Sequence, residues 1–430
     1  MNIRISSWRG AVAALALAMG GLLLGSAAEA TPGFARQTGM ACLACHFQHY
    51  PTLNSFGRAF KATGYTMRGV QPVIEGDNLS MPADLNMTLV TKLRYQKSNG
   101  DGANTATNHG EIQWPDEAAL LIGGRVGENV GFMLEHATFG EAAVGEDANG
   151  NGTIEDGELG DGSFSLFNSF KVHFNLHDIG ATRLSTVLFS TDAGGAPYSF
   201  ELLNTGAQRF MRPIEERSTM SASQYLGLGD GEATGLAFVL SNPGWFVNYA
   251  AWAPAFGNIE APKFASYLRA ALTPNLGGWD TGFGVQYYGG EYGARVDGSG
   301  ILEKTEGWVL DAQAQGEMSG MPLGLYASYG TVPTKANNHF NSGAKDKKAL
   351  GLMAELGVIP NKANVYLAYR NADNGAASNN QDNAITLGGS WMVYQNVKLE
   401  LFHTAKSGNA YSPKPAGGDA TTTLMIFAGF

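Results

Sequence analysis

The chain has 430 residues, of which 58 are glycine and 2 cysteine; 28 Lys and Arg against 38 Asp and Glu give a formal net charge of -10, and 44% of residues are hydrophobic. An acidic balance without basic clusters argues against nucleic acid as a partner, and no stretch beyond residue 31 is apolar enough for a transmembrane helix. Rich in glycine and aromatics and short of cysteine, the composition is that of a large β protein.

Residues 1–30 read as an export signal. Arg4 and Arg9 give a positive start, Ala11 to Leu24 is apolar, and Ala28-Glu29-Ala30 offers small residues where a signal peptidase cuts, so cleavage is expected before Thr31. Gly20, Gly21 and Gly25 and the shortness of the apolar run argue against a retained anchor.

Cys42-Leu43-Ala44-Cys45-His46 has the Cys-X-X-Cys-His spacing of covalent haem c attachment. Two thiols three positions apart can add to the two vinyl groups of one porphyrin, and the next residue, His46, is placed to take an axial site of the iron. A zinc site would need a second ligand pair, and these are the only cysteines; a thioredoxin-type motif would sit beside a βαβ pattern, and none follows. Thioether attachment takes place after export, which agrees with the leader.

Beyond the motif, Tyr50 to Tyr65 carries Leu53, Phe56 and Phe60 at helical spacing, so a short helix packing on the porphyrin is expected. Arg58 and Lys61 are either partners of haem propionates or solvated surface charges. For the second axial ligand, His49 follows His46 too closely to reach the opposite haem face. Met67 is the preferred candidate and Met81 the alternative, because thioethers complete many c-type sites. Residues 31–84 thus form a small α-helical monohaem cytochrome c segment.

From residue 85 to 430 the chain reads as strands with alternating faces. Phe164, Leu166, Phe170, Val172, Phe174 and Leu176 oppose Ser165, Ser169, Lys171, His173 and Asn175; Trp308, Leu310, Ala312 and Ala314 oppose Asp311, Gln313, Gln315 and Glu317; Leu350, Leu352, Ala354, Leu356 and Val358 oppose Gly351, Glu355 and Gly357. Short turns at Gly127–Asn129, His177–Gly180, Asn242–Gly244, Asn275–Gly278, Ser319–Pro322, Pro360–Lys362 and Gln395–Asn396 take turns with long polar connectors. That rhythm leaves about sixteen strands and predicts an all-β fold, a sixteen-stranded antiparallel outer-membrane β-barrel with periplasmic short turns and external loops. Leu424, Ile426, Ala428 and the terminal Phe430 alternate in the manner of a last barrel strand. A soluble propeller would show self-similarity every 40 to 45 residues or so, and none is seen.

Two connectors stand out. Asp147 to Glu158 fits the twelve-residue calcium loop, with Asp147, Asn149, Asn151, Thr153, Glu155 and Glu158 as the ligand positions for Ca²⁺, Gly152 at the turn and Ile154 at position 8. Flanking helices are missing, so this would be a calcium-stiffened surface loop, or an acidic loop without an ion. Thr191 to Asp230 is the third and largest external connector; its Arg209, Arg212, Glu215, Glu216 and Arg217 read either as an inward-folded constriction or as solvated charge. Inward Asp311, Glu317, Glu355 and Glu400 would draw cations or hydrate the lumen.

The run from Phe34 to His46 (Phe-Ala-Arg-Gln-Thr-Gly-Met-Ala-Cys-Leu-Ala-Cys-His), followed by Tyr50 to Lys61 and Gly64-Tyr65-Thr66, closely resembles the fused monohaem cytochrome-porins of the outer membrane of iron-oxidising bacteria. Beyond residue 85 the resemblance is architectural only. It implies an electron-transfer protein acting as an iron(II) oxidase: extracellular Fe(II) gives an electron to one covalent haem c, which passes it to a periplasmic cytochrome or similar acceptor, the barrel sitting in outer-membrane lipid. The rivals are a general porin whose haem is sensory or vestigial, and a soluble periplasmic haem enzyme.

Overall fold

The computed structural model describes residues 33–77, 79–103, 105–137, 168–257, 263–293 and 302–430. The export signal and the calcium loop at 147–158 lie outside these residues. Three short helices come first: α1 (Gly33–Thr38), α2 (Cys42–Cys45) and α3 (Ser55–Ala62). Sixteen long strands follow: β1 (Met87–Ser98), β2 (Glu111–Arg125), β3 (Val130–Ala137), β4 (Ser169–Ile179), β5 (Thr182–Thr191), β6 (Ala233–Asn242), β7 (Trp245–Ala253) and β8 (Ala265–Leu272), then β9 (Trp279–Gly289), β10 (Gly307–Met318), β11 (Met321–Val332), β12 (Lys347–Ile359), β13 (Ala363–Asp373), β14 (Asn383–Tyr394), β15 (Val397–Ser407) and β16 (Ala420–Gly429).

Each strand pairs antiparallel with the next, and β16 pairs with β1 to close the barrel, Thr421 opposite Ser98 and Gly429 opposite Val90. The terminal residue completes the seam: the Phe430 amide donates to the Leu89 carbonyl at 3.0 Å and the Leu89 amide donates back at 2.7 Å. Closure gives each of the sixteen described barrel strands a partner on both sides, the condition for a β structure to stand in lipid.

The two faces are inverted relative to a soluble protein. On β13, Val365, Leu367 and Tyr369 point outward and are exposed while Asn364, Tyr366, Ala368 and Arg370 between them are buried. On β10, Leu310 is exposed while Asp311, Gln313 and Gln315 are buried. Glu317 has the same parity but lies at the end of the strand and is exposed. All seven expected short turns join adjacent strands, at one end of the barrel.

The lumen is filled. The connector between β5 and β6, residues 192–232, folds inward and buries Phe200, Leu202, Leu203, Met211, Ile214 and Leu226. Its charges are therefore not simply solvated. Buried Glu215 pairs with Arg94 on β1, Glu201 pairs with Arg269 on β8 at 2.7 Å, and Arg269 also takes Asp311 on β10 at 2.5 Å. Arg217 is exposed and reaches Asp116 at 2.6 Å. The alternative of an inward-folded loop is thus the one observed.

The N-terminal segment packs as one unit with the barrel. Leu53 and Asn204 tie it to the inward connector by two hydrogen bonds, Leu53 amide to Asn204 Oδ1 at 2.9 Å and Asn204 Nδ2 to the Leu53 carbonyl at 2.8 Å. The short helix expected between Pro51 and Gly64 is present but starts later than Leu53: Asn54 caps it by accepting the Gly57 amide at 2.9 Å, so α3 starts only at Ser55.

Candidate functional site

One helical turn, α2, sets Cys42 and Cys45 on the same side, and His46 ends it with extended backbone at φ -111° and ψ 140°. That exit turns the chain back against Leu53. There His46 Nδ1 lies 3.2 Å from the Thr52 carbonyl. A carbonyl only accepts, so Nδ1 carries the proton and Nε2 keeps its lone pair for a metal. Burial lowers the His46 pKa to about 4, with His49, Arg212 and Lys398 acting in the same sense and the Thr52 carbonyl opposing. The imidazole is neutral at ordinary pH, as an iron ligand must be. Helix α3 crosses close by at Gly57, where a Cβ would come 2.1 Å from the Cys45 carbonyl oxygen.

Both cysteines are free thiols, half-buried, and burial raises each above the usual range. A redox dithiol needs the opposite shift. Among the described residues no group of three or more His, Cys, Asp or Glu could hold a metal ion, so a zinc site finds no support there. A cavity of about 310 Å³ opens beside the motif, lined by Phe34, Cys42, Cys45, His46 and Phe60 from the segment and by Val90, Leu121 and Phe427 from the wall. Phe34 stacks on Tyr65 at 5.0 Å and meets Phe60 edge-on at 5.1 Å. Two thiols, one oriented neutral imidazole and an apolar aromatic surround fit a covalent haem c, which when bound supplies one-electron redox chemistry.

Several expected contacts are not made. Met67 is half-buried, its carbonyl accepting from Gln37 Nε2 at 2.7 Å, and it is not among the residues lining the cavity; Met81 is exposed on a hairpin formed by Val73–Gly76 and Leu79–Pro82 and does not line it either. The methionines that do line it are Met40 and Met133. Arg58 is not a surface charge, because it is buried and its Nη2 pairs with Asp280 on β9 at 2.6 Å; its Nη1 has no partner, and the residue does not line the cavity. Lys61 is desolvated near Arg212 and Lys171, which together push its pKa well below the usual lysine value. Of the three aromatic and aliphatic positions of the helix pattern, only Phe60 lines the cavity.

His49 turns away from the motif into a buried polar cluster on the wall. Its Nε2 is 2.7 Å from Glu355 Oε1 and 3.0 Å from the Tyr366 hydroxyl, and Lys398 Nζ lies 3.2 Å from its Nδ1. Lys398 in turn pairs with Glu400 at 2.5 Å. Glu355, Glu400 and Asp311 thus each have a protein partner, although Glu355 is held through Oε1 alone and its Oε2 has none. The Tyr50 hydroxyl donates to the Asn396 and Phe427 carbonyls at 2.9 and 2.8 Å. Asn396 belongs to the short turn between β14 and β15, so the motif sits at the short-turn end. Sequence spacing could not reveal this cluster, whose partners are some three hundred residues apart.

No family model matches the chain, and no curated protein does. Solved structures do. OprB of Pseudomonas putida aligns with a TM-score of 0.54 at 14% identity, over 81% of this chain and 94% of that one. The outer membrane channel DcaP of Acinetobacter baumannii aligns at 0.47 and 13% identity over 81% and 97%, and a loop-deleted OmpT, an outer membrane protein of Vibrio cholerae, at 0.45 and 11% over 81% and 99%. The first of these shows the fold: the chain is a closed, sixteen-stranded antiparallel barrel of the porin type.

Proposed function

We propose that this is an outer-membrane barrel of porin fold whose filled lumen carries one covalent haem c, used to take electrons from extracellular Fe(II) and pass them to a periplasmic carrier. The observation that carries the redox reading is His46, neutral and held by the Thr52 carbonyl beside two unpaired thiols at an apolar cavity. The exposed apolar belt supports placement in lipid, and the motif's position at the short-turn end supports a periplasmic exit for the electron. Fe(II) as donor rests on the family resemblance of residues 34–66. It also agrees with chemistry, since a cell gains by keeping insoluble ferric product outside.

The second reading is a solute-conducting porin with a sensory or vestigial haem. Likeness in fold to OprB supports it. The buried connector and N-terminal segment favour the electron-transfer reading, since they occupy the space a solute would use. The two separate in one preparation. Protein extracted in detergent is mixed with ferrous citrate in a stopped-flow and also inserted into planar bilayers. Reduction of the haem bands with little steady current is expected; unchanged bands with a large steady current would establish the channel instead.

A further inference from the structure

We propose that Met133, on the inner face of β3, is the second axial ligand of the haem iron, opposite His46. The inference rests on the haem reading above and goes beyond it by joining the iron to the barrel wall. Cys42 lines two cavities, but only one of them is also lined by Cys45 and His46, so the second ligand is sought among the groups of that cavity rather than at His49 and Met392 in the other. The Tyr50 hydroxyl is committed as a donor to two carbonyls, and the Asn86 side chain is bonded to Gln37 and Gln71. Two thioethers remain, Met40 and Met133.

Position separates them. Met40 is 39% exposed and lies two residues before Cys42, on the same stretch of chain as the tether. Met133 belongs to the wall, three strands round from Phe427 on β16, against whose backbone Tyr50 anchors the loop that carries His46. Three strand spacings are about 14 Å, so Met133 is set apart from the stretch that carries the tether while lining the same cavity as His46. The inward neighbours of Met133 on β3 and β4 are polar, Glu135, Ser169, Lys171 and His173, while on β2 Leu121 and Gly123 share its face and line the cavity with it. Beside it, Gly123 pairs with Met133 across the β2–β3 ladder, and a Cβ at Gly123 would come 2.9 Å from the Phe132 carbonyl oxygen and 3.3 Å from Phe34 Cζ. The missing side chain leaves Met133 and Phe34 space at the cavity wall.

The test uses full-length protein extracted from membranes, with covalent haem confirmed by mass and by the pyridine haemochrome. Ferric protein is then examined for the long-wavelength charge-transfer band given by thioether ligation, and its midpoint potential is titrated. Wild type and Met40→Leu are expected to show the band, and Met133→Leu to lose it with a fall in potential. Met133→His should restore a low-spin spectrum without the band, which a merely structural role for Met133 would not produce. Loss of the band in Met40→Leu with retention in Met133→Leu, or a wild type with covalent haem but no thioether band, overturns the assignment. Absence of covalent haem from wild type overturns the haem reading itself.

Discussion

The wall and the filling of this barrel obey opposite rules. On the wall, Leu367 and Leu387 stand outward at 56% and 62% exposure, and the buried neighbours Asn364, Arg370 and Thr386 face inward. Inside, Phe200, Leu203 and Leu226 pack as the core of a soluble domain does, Met211 belongs to a second buried cluster, and Phe60 and Tyr65 of the N-terminal segment pack with Phe34. The wall satisfies its backbone through the closed ladder whatever the lumen holds. Function is therefore decided by the filling, and the same wall would serve a channel or an insulating sleeve.

The sharpest way to break that division is to remove the redox centre and leave the wall alone. Cys42→Ala with Cys45→Ala is expected to abolish covalent haem completely, seen as loss of haem stain on a denaturing gel, while heat-modifiable migration of the folded barrel persists. Loss of the barrel as well would mean that wall and filling are not separable.

Next in size is the anchor of the inward connector. Arg269→Met leaves Glu201 and Asp311 buried without their cation, at a cost of about 3–5 kcal/mol. A lower melting temperature in detergent and a new current across planar bilayers are expected. An unchanged melt and a silent bilayer would show that the connector does not depend on this arginine.

The lipid face can be probed at Leu387. Leu387→Arg is expected to destabilise folding into vesicles by about 2–4 kcal/mol if it lies near the bilayer midplane, whereas inward Thr386→Ala should change it much less. Equal effects would contradict the assigned faces.

The smallest effect is a pH dependence of the filling, measured in the variant lacking both cysteines. Folded His46 takes its proton only near pH 4, whereas the unfolded residue takes it near about 6.5. The unfolded chain therefore binds more protons between those values, and the contribution of His46, full above about 6.5, is lost as pH falls toward 4. Stability is expected to fall over that window, and the fall to be absent when His46→Gln is added.

Much of the wall was legible because its signals are local. Period-two alternation, as at Leu310 and Asp311, and two- to four-residue turns such as Asn242–Gly244 depend on neighbours in sequence, and they located strands and faces correctly. The spacing of Cys42, Cys45 and His46 is local in the same way, and the structure sets the three residues together beside one cavity. The filling was not legible in that way. That Arg58 meets Asp280, that His49 meets Glu355, and that Met133 rather than Met67 lines the cavity depends on which distant strand closes beside the segment. Charge alone suggested solvated side chains at Arg58 and Glu215; packing of the N-terminal segment against β9 gives Arg58 its Asp280 partner, and the inward fold of residues 192–232 brings Glu215 to Arg94.

The central claim is a porin-type barrel bearing one tethered haem, and the intact mass of the detergent-extracted protein tests it most directly. The account predicts a polypeptide heavier by one haem, with the added mass retained on the peptide that holds Cys42 and Cys45. A bare polypeptide mass, from cells able to attach haem c, would contradict it.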